Sequence, residues 1–346
     1  MLPAQRGDCL WLTYGKRGDL HHVLVDAGPQ ETIPTLMPVL EERICRLDGT
    51  TSRVELLVVS HVDADHIQGV VSLLSDHRRV RLFNDVWFNG YRHLTGLLGG
   101  PDGERLTAAL NTQPKRWNKA FRGGAVVISD DGPLPTVTLN GGLEITLLAP
   151  DRAALTRLIP QWEKTCQKAG ILPGQGATIA RRSWQRDELL GFNPDILAKR
   201  KYTRDTSRPN ATSIACIAKY DNKRVLLLAD APTEAVIAGL KRLGGPHRFS
   251  AVKLSHHGSQ HNTNLELCKL ISSKRWLVST NGAVFEHPDP ESLARIVTTQ
   301  DKPELMFNYV TEFIDDVVRG AGQRYTVKLP KRLEDGSYGE GNAVSI

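Results

Sequence analysis

The sequence predicts an α/β protein made of two similar β-rich halves that share one edge, and three observations predict it. Residues 54–60 (VELLVVS) and 224–230 (RVLLLAD) are apolar runs of strand length, the pattern of strands covered on both faces. Each run leads into a stretch with helical apolar spacing, IQGVVSLLS after the first and Thr233–Leu243 after the second. Each also delivers metal-capable side chains at its C-terminal end: His61, Asp63, Asp65 and His66 in one case, Asp230 in the other.

The opening third reads as short strands, Cys9–Tyr14 and then His22–Asp26 after the turn Gly15–Gly18, followed by Val54–Ser60. Further strands are expected around Val86–Phe88, Ala125–Ile128 and Leu143–Ala149. RAALTRLIPQWEKTCQ is helical, and it opens a helical and irregular insert over about 151–205 that mixes Gly, Pro and Arg. Within Arg181–Arg208, eight Lys or Arg stand against four acids, which reads either as a solvated linker or as a basic surface beside the site. SIACIAKY and RVLLLAD form a hairpin around Asp221-Asn222; then come a helix, AVKLSHH, another helix and RWLVSTNG. The chain is read as one domain, 1–346, with halves of about 1–150 and 206–346.

With 40% hydrophobic and 24% charged residues in 346, the composition is that of a globular protein with a sizeable core. The net charge of +6 and pI near 9.1 permit a polyanionic partner without demanding one. No apolar run is long enough to span a bilayer, and the N-terminus lacks the pattern of a secretory leader. The five cysteines (Cys9, Cys45, Cys166, Cys216, Cys268) are scattered without C-x-x-C spacing, so they read as reduced thiols. These features predict a cytoplasmic protein with no membrane association.

His61-x-Asp63-x-Asp65-His66 packs four ligand-type side chains into six positions. In an extended segment residues i and i+2 project to one side, so His61 and Asp63 can grip one ion. Asp65 and His66 open the next helix and can point toward another. Two divalent ions in such a site lower the pKa of water and clamp the oxygens of a phosphoryl or acyl group, so no protein nucleophile is needed.

HVDADHIQG after an apolar strand resembles the H-x-[HD]-x-D-H-x-x-G signature of the metallo-β-lactamase superfamily. With Asp at the third ligand position, the chain is most similar to the hydrolase domain of the competence protein ComEC and its stand-alone soluble relatives. GDCL at 7–10, LVDAGP at 24–29, PNATSIACI at 209–217, LLLADA at 226–231, KLSHHGS at 253–259 and STNG…HPDPESLARI at 279–296 follow in family order. Residues 151–205 do not align with the family pattern.

The resemblance implies a four-layer αββα sandwich with two divalent ions, Zn²⁺ or Mn²⁺, at one edge. It assigns Asp65, His66, Asp230 and His287 to one ion, and His61, Asp63 and the bridging Asp230 to the second. Asn210 stands where many relatives carry a third imidazole. That makes the second site oxygen-rich, which favours Mn²⁺ or Mg²⁺ over Zn²⁺. His256 or His257 is expected to touch substrate or protonate the leaving group, with Asp65 and Ser259 beside the reaction. Asp26 is expected to orient a ligand, and Asp8 either lines the mouth or sits in a turn. Arg181, Arg182 and Arg186 are expected to contact nucleic acid. Trp117, among Lys115, Arg116, Lys119 and Arg122, reads as part of an amphipathic surface helix or as a stacking residue.

The implied function is a nuclease or phosphodiesterase acting on DNA through a metal-activated water. The alternatives are hydrolysis of a small phosphoester, phosphorylcholine-type ester, lactone or lactam, and a non-catalytic metal-stabilised binding module. A regulatory protein partner is an added expectation.

Overall fold

The computed structural model describes residues 1–45, 54–95, 101–168 and 192–346. The first sheet contains β1 (Leu10–Lys16), β2 (Asp19–Val25), β3 (Val54–Val58) and β4 (Phe83–Trp87) in that order. Only β1–β2 is antiparallel; β2–β3 and β3–β4 are parallel. The second sheet begins with the antiparallel run β5 (Thr136–Thr138), β6 (Glu144–Ala149), β7 (Ala215–Tyr220) and β8 (Lys223–Leu227). It continues in parallel through β10 (Ala251–Lys253), β12 (Arg275–Val278), β13 (Glu304–Phe307) and β14 (Thr326–Lys328). A separate parallel pair joins β9 (His247–Phe249) to β11 (Ile271–Ser273).

Alternation along these strands sorts their side chains into three apolar layers. Val23, Val25, Leu56, Val58 and Trp87 face inward against Ile145, Leu147, Cys216, Ala218 and Leu227 of the second sheet. On the outer face of the first sheet, Leu24, Leu57 and Val86 meet α1 (Ile33–Cys45), α2 (Ala64–Leu73), α3 (Tyr91–Thr95), α4 (Pro101–Asn111) and α5 (Arg152–Lys168). Beyond the short turns α6 (Pro194–Leu197) and α7 (Arg208–Ala211) lie α8 (Thr233–Leu243), α9 (Leu265–Leu270), α10 (Pro290–Thr299) and α11 (Asp315–Arg319). These four cover the outer face of the second sheet, against Ile217, Leu226, Val252 and Leu305. The result is the four-layer αββα sandwich.

Three sequence expectations are corrected. Residues 125–128 are extended but not a strand: Asn89 replaces a partner strand, its amide oxygen accepting from the Val126 N–H and its amide nitrogen donating to the Val126 carbonyl. β5, a short β-branched edge, was not anticipated, and with β6 it joins the second sheet, so the sheets do not follow the two sequence halves. The helical start of the insert is core: Leu155, Leu158, Trp162 and Cys166 of α5 pack into the outer layer of the first sheet. Cys9, Cys166, Cys216 and Cys268 are buried reduced thiols. Among the described residues no helix is long and apolar enough to cross a membrane.

Candidate metal centre

β3, β8 and β10 end at the same edge of the sandwich, and the turns beyond them carry the site. Parallel strands place their carboxyl ends together, which is where α/β proteins collect ligands. The motif follows β3 directly, with Asp65 and His66 in the first turn of α2. Asp230 follows β8, and His256-His257 follow β10. The motif's closing Gly69 has a structural cause: a Cβ there would lie 2.0 Å from the Ala27 carbonyl oxygen, so only glycine lets α2 pack on the end of β2.

Three imidazoles are locked in one tautomer. Asp26, fully buried, accepts from the Ser60 backbone N–H at 2.8 Å and from the Ser60 hydroxyl at 2.6 Å. The same carboxylate lies 2.8 Å from His66 Nδ1, which therefore carries the proton. With its hydrogen given to Asp26, Ser60 Oγ accepts from His61 Nδ1 at 3.1 Å. His257 Nδ1 donates to the Ser279 carbonyl at 2.8 Å. Each ring consequently turns Nε2 into the site. Those three Nε2 atoms and Asp230 Oδ1 are buried and make no hydrogen bond.

The spacings are those of ligands around an ion. His66 Nε2 lies 3.3 Å from Asp230 Oδ1, and His257 Nε2 lies 3.4 Å from Asp65 Oδ2. His61 Nε2 is 3.6 Å from Asp63 Oδ2 and 3.8 Å from Asp230 Oδ2, while His256 Nε2 is 3.7 Å from Asp230 Oδ2. Ligands about 2.0–2.1 Å from a tetrahedral ion sit about 3.3 Å from one another, a separation most hydrogen bonds do not reach. His61, His66 and Asp230 form one group with ligand atoms within 4.8 Å of each other; Asp65, His66 and His257 form another.

Charge points the same way. Burial alone would raise the pKa of Asp65 and Asp230, but the surrounding imidazoles outweigh it and hold both below the ordinary carboxylate range. Burial alone would lower the pKa of His66 and His257, yet Asp230 and the carboxylates behind the rings raise both. His256 is pushed up to about 9 against burial, by Asp230 and Asp205. The cluster stabilises added positive charge, as a cation site should.

The backbone is strained here. Asp26, Ala229, His256 and His257 all have positive φ, between 45° and 55°, which costs about 1–3 kcal/mol apiece for residues other than glycine. At His256 and His257 this conformation turns two adjacent side chains toward one site.

Among the residues anticipated from sequence, the fold brings together His61, Asp63, Asp65, His66, Asp230, His256 and His257. It brings His257, where His287 was expected, to Asp65 and His66. His287 lies beside His256 at a ring separation of 5.3 Å, with Nδ1 3.6 Å from Asp289. Asn210 adjoins the cluster, and its amide nitrogen donates to Asp205 at 2.7 Å. Ser259 is buried in the turn, its hydroxyl accepting from the His261 N–H at 3.3 Å. Trp117 is fully buried and donates to the Phe88 carbonyl, so it offers no stacking face. Arg181, Arg182 and Arg186 lie outside the described residues.

Two supports were not identified from sequence. Asp205 accepts from Asn210 and from Asn262 (2.9 Å) and stands 3.7 Å from His256 Nδ1; these partners overcome burial and hold it at about 2. Lys253, fully buried, donates to Asp8 at 2.7 Å, and the other Asp8 oxygen lies 3.5 Å from His257 Nδ1. A lysine inside the apolar strand AVKLS was the available signal, since a buried ammonium requires a carboxylate. Beside the motif, a cavity of about 300 Å³ opens between α2, α4 and α5, lined by Val62, Asp63, Gln68, Gly103, Leu158 and Trp162 among others.

No family model and no curated protein sequence matches the chain. Among solved structures it is similar to a protein assigned as a metal-dependent hydrolase from Parabacteroides distasonis (10% identity, TM-score 0.34, covering 93% of this chain and 98% of that one). It is also similar to an E377D mutant of the β-hydroxylase CmlA (13%, TM-score 0.35, 95% of this chain and 52% of that one). A third likeness is to Zn²⁺-bound PqqB from Methylobacterium extorquens (11%, TM-score 0.35, 96% and 86%). Likenesses at this level identify neither substrate nor family.

Proposed function

We propose that this chain is a metal-dependent hydrolase of the metallo-β-lactamase superfamily that cleaves phosphodiesters, with DNA as its substrate. The observation that carries the reading is the convergence of the Nε2 atoms of His61, His66 and His257 with Asp230 Oδ1, all buried and without hydrogen-bond partners. Asp65, His66, His257 and Asp230 would hold one divalent ion. His61, Asp63 and Asp230, with His256 adjacent, would hold the other. Three carboxylates in this set favour Mn²⁺ or Mg²⁺ alongside Zn²⁺.

When bound, such ions supply Lewis acidity, lowering the pKa of water and neutralising charge that builds on a hydrolysed ester. The chain's own groups do the rest. Asp26 and the Ser279 carbonyl fix ring orientation, so the ligand nitrogens do not reorganise during turnover. His256 keeps its side chain partly exposed and is backed by Asn262 Oδ1 at 3.1 Å, which places it to protonate a departing oxygen. The net charge of +6 favours a polyanionic substrate.

A second reading, hydrolysis of a small ester, draws support from the 300 Å³ cavity, which is of small-ligand size and has no Lys or Arg among the described residues of its lining. The test is incubation of metal-stripped protein with linear and circular DNA, adding Mn²⁺, Mg²⁺ or Zn²⁺ in turn, with His66→Ala as control. Metal-restored cleavage absent from the variant supports the phosphodiesterase. No cleavage with any ion overturns it in favour of the small ester.

A further inference from the structure

Phe285 is 42% exposed, an arrangement that forgoes burial of a large apolar ring, and it stands at the mouth of the metal centre. Its ring stacks on His287 (centroids 6.1 Å apart, planes at 27°) and meets His256 edge-on at 6.4 Å. His256 in turn is 3.7 Å from Asp230. The only other comparably exposed aromatic among the described residues, Tyr338, lies under Arg332 and far along the chain from any ligand.

The loop that carries Phe285 is braced. Asn281 N donates to the Gln5 carbonyl at 2.8 Å, and Asn281 Nδ2 donates to Gln5 Oε1 at 2.7 Å. Ala283 N donates to Asn281 Oδ1 at 3.1 Å, and Glu286 N closes the turn on the Gly282 carbonyl at 2.9 Å. Gly282, at φ +72°, sits so close to Phe313 that a Cβ would fall 2.5 Å from that ring. One face of Phe285 is thus spent on His287, while the residue stays 42% exposed next to His256.

Resting on the phosphodiesterase reading, we propose that Phe285, backed by His287, is a stacking platform for an unpaired nucleobase next to the scissile phosphate. Any base offers a π-face, so the platform is tolerant of sequence. A base can reach it only when unstacked from its neighbours, so the substrate is a single strand or a frayed end. The ring meets His256, whose Nε2 is 3.7 Å from Asp230. The stacked base therefore belongs to a nucleotide joined to the reacting phosphate.

The test uses metal-loaded full-length protein and a single-stranded oligodeoxynucleotide, compared with the same strand carrying one abasic residue at successive positions. Wild type is expected to cleave next to a base about tenfold more efficiently than next to the abasic residue, through KM. In Phe285→Ala that preference should collapse toward one, and Phe285→Trp should keep it. An undiminished preference in Phe285→Ala overturns the platform while leaving the phosphodiesterase standing. Equal losses on both strands show a structural effect and also overturn it. Absence of cleavage by wild type on every strand removes the phosphodiesterase reading and the platform together.

Discussion

Replacing Lys253 by methionine should be among the most costly single changes in this protein away from the ligands themselves. Lys253 and Asp8 are each essentially inaccessible to water, and their charged atoms are 2.7 Å apart. At an effective dielectric near 20, that separation corresponds to an attraction of about 6 kcal/mol, most of it offset by desolvation of the two ions. Methionine fills similar volume but strands the Asp8 carboxylate, and breaking a buried pair from one side costs about 3–5 kcal/mol. Burial raises the Asp8 pKa, but Lys253 and then His257 outweigh it and hold the group well below its ordinary value. The stabilisation is therefore present above the unfolded-state pKa near 4 and is lost as pH falls below it. The assay is urea unfolding of the metal-free protein at pH 7 for Lys253→Met, Asp8→Asn and the double variant. Each single variant should lose about 3–5 kcal/mol, and the double should recover at least about 2 kcal/mol relative to the sum. A loss below about 1 kcal/mol for Lys253→Met, or strict additivity in the double, would refute this reasoning.

Three further outcomes are expected. Gly7→Ala places a Cβ 1.7 Å from the Asp65 carbonyl oxygen, backbone against backbone, so it should destabilise the fold by at least about 2 kcal/mol and weaken metal binding; thermal unfolding and metal titration read the two effects. Asp26→Asn leaves the ligands present but loosens the His66 ring and upsets its tautomer, and should lower metal affinity about 10–100-fold by competition with a chelating dye. His93 is held at about 4 by burial and then by Arg92, below its ordinary value of 6.5. Its stabilising contribution is present above pH 6.5 and is lost as pH falls through 4, amounting to about 3 kcal/mol. In His93→Phe the acid-side slope of stability should flatten, and an unchanged slope counts against the assignment.

The site was legible in sequence where its residues are local. Four ligand types within residues 61–66 follow an apolar strand, and Asp230 follows a second, so each could be read without knowing the fold. The layers were legible for a related reason: strands buried on both faces read as continuous apolar runs. What failed depends on backbone conformation or on distant pairing. Extended geometry would send His256 and His257 to opposite faces, and the two consecutive positive φ values that turn both toward Asp230 leave no mark in the residue types. Hence the sequence points to His256 or His257 as touching substrate or protonating the leaving group and places His287 with Asp65 and His66, whereas the fold gathers His257 with those two. Asp205 sits in the insert that does not align with the family motifs, and it is positioned by Asn210 and by Asn262, 57 residues away. Asp8 and Lys253 are 245 positions apart. The apolar stretch at 125–128 looked like a strand, but the groups that satisfy its backbone belong to a single asparagine side chain.

We propose that these residues would hold two divalent ions, with Asp230 contributing to both. Calorimetric titration of metal-stripped protein with Mn²⁺ and with Zn²⁺ tests it most directly, with Asp230→Asn alongside and circular dichroism to verify that the variant is folded. Two ions per chain are expected for the wild type, and loss of at least one of them, with weakening of the other, in the variant. Absence of binding by the wild type, or an Asp230→Asn isotherm identical to it, would contradict the account.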